Sequence, residues 1–199
     1  MKITKSVFVK SVANAKNLIK DNVPQIAFVG RSNVGKSSLI NMLVNNGKLA
    51  RTSNTPGRTR LVNYFLINDN FYFVDLPGYG YAKASKTMVD SWQSLIEPYI
   101  LNNNSLKCVC VLLDSRHEAN DYDKQMINFL VYYNIPFIIV ATKCDKFSKS
   151  AVKPALTKLA NSVGVGVANV YGTSSDKKTG KEELLARLEQ FLQTENELG

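Results

Sequence analysis

Apolar and polar positions change period several times along the chain, and those changes divide it into elements. Pro24 introduces an apolar run at 25–29 that predicts a buried strand. From Lys36 the rhythm turns helical, with Leu39, Ile40, Met42 and Leu43 recurring, until Asn46-Gly47 stops it near residue 45. Residues 48–60 are rich in Thr, Ser, Asn, Gly and Arg and have no apolar period, which predicts a mobile loop. Two strand-like runs follow at 61–67 and 71–75, joined by Asn68-Asp69-Asn70, a hairpin signal. Leu76-Pro77-Gly78-Tyr79-Gly80 is a break. A helix is expected over 86–101, with Trp92, Leu95, Ile96, Tyr99 and Ile100 facing inward.

The second half alternates more regularly. The run at 107–114 is almost continuously apolar, as in a parallel strand covered on both faces. A helix at 121–134, a buried strand at 136–142, a helix at 148–162, a strand at 167–171 and an amphipathic helix at 181–192 complete the pattern. Strands alternating with helices after an initial hairpin predict an α/β fold: one domain over 24–199, a mostly parallel sheet with one antiparallel strand, and helices on both faces.

Residues 1–23 form a basic lead-in, with lysines at 2, 5, 10, 16 and 20 and no acid before Asp21. A faint strand pattern covers 6–12 and a faint helical one 13–20, so a basic amphipathic arm and an added edge strand both fit. The apolar residues here are too interrupted for a secretory signal. No apolar run approaches the ~20 residues that span a bilayer, so no integral membrane segment is expected.

Composition adds a partner. The formal charge of +9 exceeds what binding a small nucleotide requires and points to a polyanion, RNA ahead of an anionic membrane. Cys108 and Cys110 lie two apart in an apolar run and should share one face of a strand; with Cys144 they make an odd set of three. A metal would need more ligands than these and the single histidine, His117, provide. Buried free thiols in a reducing cytoplasm are the expectation.

The first strand runs directly into Gly30-Arg31-Ser32-Asn33-Val34-Gly35-Lys36-Ser37-Ser38, a G-x-x-x-x-G-K-S that opens the first helix. Glycines there let backbone N–H groups wrap phosphate oxygens, and the helix N-terminus adds positive potential. Lys36 can reach the outer phosphates, and the Ser37 hydroxyl can ligate Mg²⁺, which prefers oxygen. The strand at 71–75 ends in Asp75-Leu76-Pro77-Gly78, a D-x-x-G whose carboxylate can hold Mg²⁺ and whose Gly78 N–H can meet a γ-phosphate. After the strand at 136–142 comes Thr142-Lys143-Cys144-Asp145. A carboxylate there accepts from both N1–H and the exocyclic amine of guanine; adenine offers neither, so an ATP-using kinase is disfavoured. The Lys143 stem can lie along the base, and the backbone of Thr173-Ser174-Ser175 can reach the base O6. All these loops follow strand C-termini, where open α/β sheets bind ligands.

These motifs, with Thr55-Pro56-Gly57-Arg58-Thr59, Pro77-Gly78-Tyr79-Gly80 and Asp114-Ser115-Arg116-His117, resemble those of the EngB (YihA/YsxC) family of Ras-like P-loop GTPases. The resemblance implies a cytoplasmic bacterial GTPase, a monomer that binds GTP or GDP with Mg²⁺. It implies a role in assembly of the large (50S) ribosomal subunit and in normal septation and division. It carries the switch role to Thr59, which would close on Mg²⁺ and the γ-phosphate, with Gly57, Arg58, Arg60 and Leu61 lining the nucleotide. Lys36, Thr59 and Gly78 would then act in hydrolysis, and Ser37, Thr59 and Asp75 would surround the metal.

Two positions depart from the general GTPase pattern. Thr142 stands where most GTPases have Asn and cannot offer an amide's paired donor and acceptor, so base affinity should be modest. Tyr79 follows Gly78 where a water-orienting Gln is common, so isolated turnover should be slow. Asn33 resembles the loop asparagine that recruits K⁺ beside the phosphates in some GTPases. His117 reads as a surface residue in preference to a general base, and Trp92 as core. The alternative function is a membrane- or septum-associated interaction switch that uses the basic N-terminal segment.

Overall fold

The computed structural model describes residues 1–50, 61–79 and 92–193. Its sheet contains β1 (Ser6–Val12), β2 (Gln25–Gly30), β3 (Val62–Ile67), β4 (Phe71–Asp75), β5 (Leu106–Asp114), β6 (Phe137–Thr142) and β7 (Val170–Gly172). They lie in the order β1-β3-β4-β2-β5-β6-β7, and only the pairings made by β3 are antiparallel. This is the α/β sheet with one reversed strand that the hairpin at 68–70 predicts. Every residue of β2 is buried because it has strands on both sides and helices on both faces.

Among the described residues the α-helices are α1 (Lys36–Leu43), α2 (Glu97–Leu101), α3 (Asp121–Tyr132), α4 (Lys149–Ser162) and α5 (Lys181–Gln193). Ala27, Val29, Val109 and Val111 face α2, α3 and α4, through Tyr99, Ile127, Leu130 and Leu159. Ile26, Phe28, Cys108 and Cys110 face α1 and α5, through Leu39, Leu43, Leu184 and Leu188. The period-2 alternation of the strands thus feeds two cores at once. Cys108 and Cys110 share one face as their spacing requires, and all three cysteines are free and buried.

Residues 6–12 form the edge strand β1, which settles the two possibilities left open for the lead-in. It carries a bulge at Val9, between the Phe8–Phe65 and Lys10–Tyr64 pairs. The extra residue puts Phe8 against Phe65 and places Val12 in the core on the other face. Since β1 and β2 run the same way, residues 13–24 must return along the length of the sheet. They do so as a strap rather than a helix: only Ala15–Asn17 makes a 3₁₀ turn, capped by Asn14. Leu18, Ile19 and Val23 pack on the core, and Asp21 accepts a hydrogen bond from the Tyr72 hydroxyl at 2.7 Å.

Two further elements differ from the pattern-based expectation. Of the helix expected over 86–101, the described part is a π turn, Trp92–Ile96, leading into α2. Pro98 has no N–H to give to the carbonyl four residues back, so the regular ladder cannot pass through it. Leu95, Ile96, Tyr99 and Ile100 are buried as expected; the Trp92 side chain lies outside the described residues. At the other edge, residues 167–169 form a 3₁₀ turn and β7 begins at Val170, where pairing with Ile139 starts. An outermost strand with one neighbour needs only the residues that reach that neighbour.

Candidate nucleotide site

The loop between β2 and α1 is held in shape by residues with left-handed backbone. Gly35, the residue before α1, has φ of +106°, which an L side chain rarely adopts. Asn33 has φ of +63°. Asparagine enters this region more readily than other L residues with a side chain, so the loop turns here at little cost. Lys36 opens α1, and its ammonium contacts the Asp75 carboxylate at the end of β4. Burial pushes the Lys36 pKa down to about 7. The cation suited to phosphate and the carboxylate suited to Mg²⁺ therefore stand together, one strand apart, at the C-terminal edge of the sheet.

The residues after Asp75 are drawn against the phosphate loop. Leu76 donates its N–H to Phe28 O at 3.0 Å, and Tyr79 donates its N–H to Gly30 O at 3.2 Å. Gly78 lies so close that a Cβ would come within 3.2 Å of Gly30 O and 3.3 Å of Ser32 N. A side chain at 78 would fill this cradle, which suits a backbone N–H meeting an anion. With the oxygen donors of Ser37 and Asp75, it fits a nucleoside phosphate with Mg²⁺. Thr59, with Gly57, Arg58 and Arg60, lies outside the described residues; Leu61 leads into β3.

Tyr79 does not face this cradle. Its side chain is buried in the core, and its hydroxyl donates to Asp123 Oδ1 at 2.9 Å. Asp123 Oδ2 also accepts the Asn120 N–H at 3.0 Å, closing the capping box of α3. Burial raises the Asp123 pKa, opposed by the Asn120 N–H and the Tyr79 hydroxyl. Nothing in the sequence pairs Tyr79 with Asp123; an Asn-x-x-Asp at a helix start reads as a cap and no more.

The base-recognition motif meets the phosphate loop from the other side. The Thr142 hydroxyl donates to Val34 O at 2.7 Å, and Lys143 Nζ donates to Asn33 O at 3.0 Å. Thr142 thus ties β6 to the phosphate loop with one hydroxyl. Asp145 has 8% of its side chain exposed and accepts from the Ser174 hydroxyl at 2.6 Å. That hydroxyl, followed by Lys146 at 3.0 Å, holds the Asp145 carboxyl below the usual carboxylate range. The Cys144 N–H donates to Thr173 O, the Thr173 N–H to Ala141 O and the Ser174 N–H to Thr179 O. Of the amides of Thr173, Ser174 and Ser175, that of Ser175 is the one not used in these bonds.

Asp114, Arg116 and His117 stand between the two halves. Asp114 accepts two hydrogen bonds from the Arg116 guanidinium, at 2.9 and 2.7 Å, and one from Lys143 Nζ at 2.9 Å. His117 lies on the wall of a cavity of about 170 Å³ beside Arg31 and Asn33. The sequence places this motif at the mouth of the site but does not reveal that Asp114 and Lys143 are partners. The structure therefore brings together the G-x-x-x-x-G-K-S, D-x-x-G, Thr-Lys-Cys-Asp and Thr-Ser-Ser segments.

Residues 25–143 match the family model described as 50S ribosome-binding GTPase. A probable GTP-binding protein EngB from Clostridium kluyveri is 49% identical over 193 residues, which cover 96% of this chain and 98% of that protein. The chain belongs to the EngB family of GTPases. A second EngB relative, from Chlorobium luteolum, is 45% identical over 196 residues, 98% of this chain and 94% of that protein. The crystal structure of a probable GTP-binding protein EngB superposes with a TM-score of 0.69 at 25% identity, covering 85% of this chain and 99% of that one. The fold is shared with Era in complex with MgGDPNP and a 16S ribosomal RNA segment, at a TM-score of 0.65 and 24% identity; that alignment covers 85% of this chain and 56% of Era's. The EngB match spans both the phosphate loop and the base-recognition strand, so the GTPase assignment rests on the whole site.

Proposed function

We propose that this EngB-family GTPase is a slow, GTP-driven switch in assembly of the large (50S) ribosomal subunit, needed for normal cell division and septation. The observation that carries the reading is the joining of a nucleotide cradle to a basic edge. Lys2, Lys5, Lys10, Lys16 and Lys20 are all exposed on β1 and its flanks, and β1 ends beside Val62, which follows a stretch of sequence that carries Arg51, Arg58 and Arg60. A polyanion seated on that edge lies next to the segment that senses the nucleotide.

In this reading Lys36 and the N–H groups of Gly30 to Ser38 hold the phosphates, and Ser37, Asp75 and, with GTP, Thr59 surround Mg²⁺. When bound there, the metal would supply positive charge that offsets the charge of the phosphates. Gly78 senses the γ-phosphate, Asp145 reads guanine, and the Ser175 N–H reaches O6. The protein works as a cytoplasmic monomer. With the Tyr79 hydroxyl bonded to Asp123 rather than free to orient water, hydrolysis would wait on the docked particle, and K⁺ held at Asn33 would add charge.

The lead-in that could serve as a membrane-seeking arm is a sheet strand, and no helix among the described residues is long and apolar enough to cross a membrane. What favours the ribosomal reading over a membrane- or septum-associated switch is the family model, described as 50S ribosome-binding GTPase. GTPase rates measured with and without purified 50S subunits, in K⁺ and in Na⁺, test it. Stimulation by subunits is expected. Equal rates throughout, with co-sedimentation on anionic vesicles instead of subunits, would overturn it.

A further inference from the structure

Lys143 is a lysine in the left-handed region, with φ of +62°, a conformation that costs an L residue free energy and persists only where neighbours impose it. Its ammonium reaches Asn33 O, which belongs to a second left-handed residue, φ of +63°. Two left-handed residues, 110 positions apart in sequence, are thus joined by one hydrogen bond. That bond is the direct link between the Lys143 ammonium and the phosphate loop.

Asp114 supplies what holds the ammonium there. It ends β5, next to Thr142 at the end of β6 and one strand away from Gly30. Its Oδ2 accepts from Lys143 Nζ at 2.9 Å and from Arg116 at 2.7 Å, while Oδ1 takes the Arg116 Nε–H and the Arg116 backbone N–H. Both oxygens are fully engaged, and 15% of the side chain is exposed. Burial alone would raise this carboxyl, yet the Arg116 and Lys143 hydrogen bonds hold it well below the usual carboxylate range. It is therefore charged whenever the protein is folded near neutral pH.

We infer that Asp114 is a positioning residue for the guanine nucleotide: with Arg116 bracing it, it fixes Lys143 between base and phosphate loop, so the two halves of the cradle form one rigid unit before the nucleotide arrives. The inference rests on the reading that the Thr142–Asp145 loop binds guanine. A pre-formed cradle saves the ordering that binding would otherwise require, and that saving appears as affinity. Asp114 touches neither base nor phosphate in this scheme and acts through Lys143 alone.

A double-mutant cycle in the full chain tests it, with GDP affinity by calorimetry and folding by thermal melt. Asp114→Asn keeps the shape and removes the charge; roughly tenfold or greater weakening of GDP is expected, the size of one lost charge-assisted bond. In a Lys143→Ala background the same substitution should change affinity by less than about threefold, because its target is gone. Asp114→Glu keeps the charge and should recover part of the affinity only when Lys143 is present; it decides the matter if Asp114→Asn does not fold. Equal losses in both backgrounds, or no loss in either, would overturn the inference. If Lys143→Ala and Asp145→Asn both leave GDP binding intact, the guanine-site reading itself has failed, which is a separate result.

Discussion

The Tyr79 hydroxyl donates to the Asp123 carboxylate at 2.9 Å, tying the loop that follows Gly78 to the first turn of α3. The residue at the place of the water-orienting glutamine is therefore directed into the core, with 8% of its surface exposed. Tyr79→Phe should remove one buried hydrogen bond and leave an Asp123 oxygen short of a partner, at a cost of about 1–3 kcal/mol. Chemical denaturation should show that loss, while basal GTP hydrolysis stays within about threefold. A collapse of turnover at unchanged stability would make Tyr79 catalytic.

Asp145 should decide base choice. Asp145→Asn is expected to weaken GDP binding and move preference towards xanthine nucleotides, whose C2 oxygen accepts where the guanine amine donates. Ser174→Ala should weaken GDP less, since it removes a hydroxyl that orients the carboxylate at 2.6 Å and leaves the carboxylate in place. Calorimetric titration with GDP and XDP checks both, and unchanged GDP affinity in folded Asp145→Asn would remove the assignment.

Mg²⁺ dependence should separate two hydroxyls. Ser37→Ala is expected to weaken Mg²⁺-dependent binding of both GDP and a GTP analogue, whereas Thr59→Ala should spare GDP. Equal damage to both ligands by Thr59→Ala would end its role as the switch threonine.

Asn33 has an exposed side chain on a left-handed backbone, which leaves its amide available to a cation. Asn33→Ala should abolish any difference in hydrolysis between K⁺ and Na⁺. A factor of ten in rate corresponds to only ~1.4 kcal/mol of barrier, well within the reach of one added charge. A K⁺ effect that survives the substitution would place the ion elsewhere.

The Asp114 carboxyl gives a pH prediction with a definite sign. Its pKa is lower in the folded protein than its ordinary value of 3.8, so its stabilisation is complete above about pH 4–5 and is lost as pH falls through the folded value. The difference in unfolding free energy between the parent and Asp114→Asn should be flat from pH 7 to 5 and shrink below pH 4. A difference that grows on acidification would contradict the ion pairs at Arg116 and Lys143.

Much of this was readable before any coordinates. The runs at 25–29, 107–114 and 136–142 read as strands because a short, bounded, unbroken apolar run suits a strand buried on both faces, and β2, β5 and β6 are there. The phosphate loop, the D-x-x-G and the Thr-Lys-Cys-Asp each follow a strand end, so their convergence was a matter of topology. What escaped the sequence were contacts between side chains far apart in the chain. Tyr79 with Asp123 and Asp114 with Lys143 depend on how loops from different strands settle, and no local pattern encodes that. The return strap at 13–24 was obscured for a related reason: its Ala15, Leu18 and Ile19 fall at the i, i+3, i+4 spacing of a helix but pack against the core from a strap with only one 3₁₀ turn.

The three cysteines open a practical route into the chemistry of docking. Cys108 and Cys110 are fully shielded and Cys144 nearly so, at 7% exposure, so the folded chain should be almost inert to maleimides. A thiol introduced at a solvent-facing edge position, such as Phe8→Cys at 48% exposure, would then label as a single site. A fluorophore placed there reports when β1 meets another molecule, with no need to remove any native thiol first.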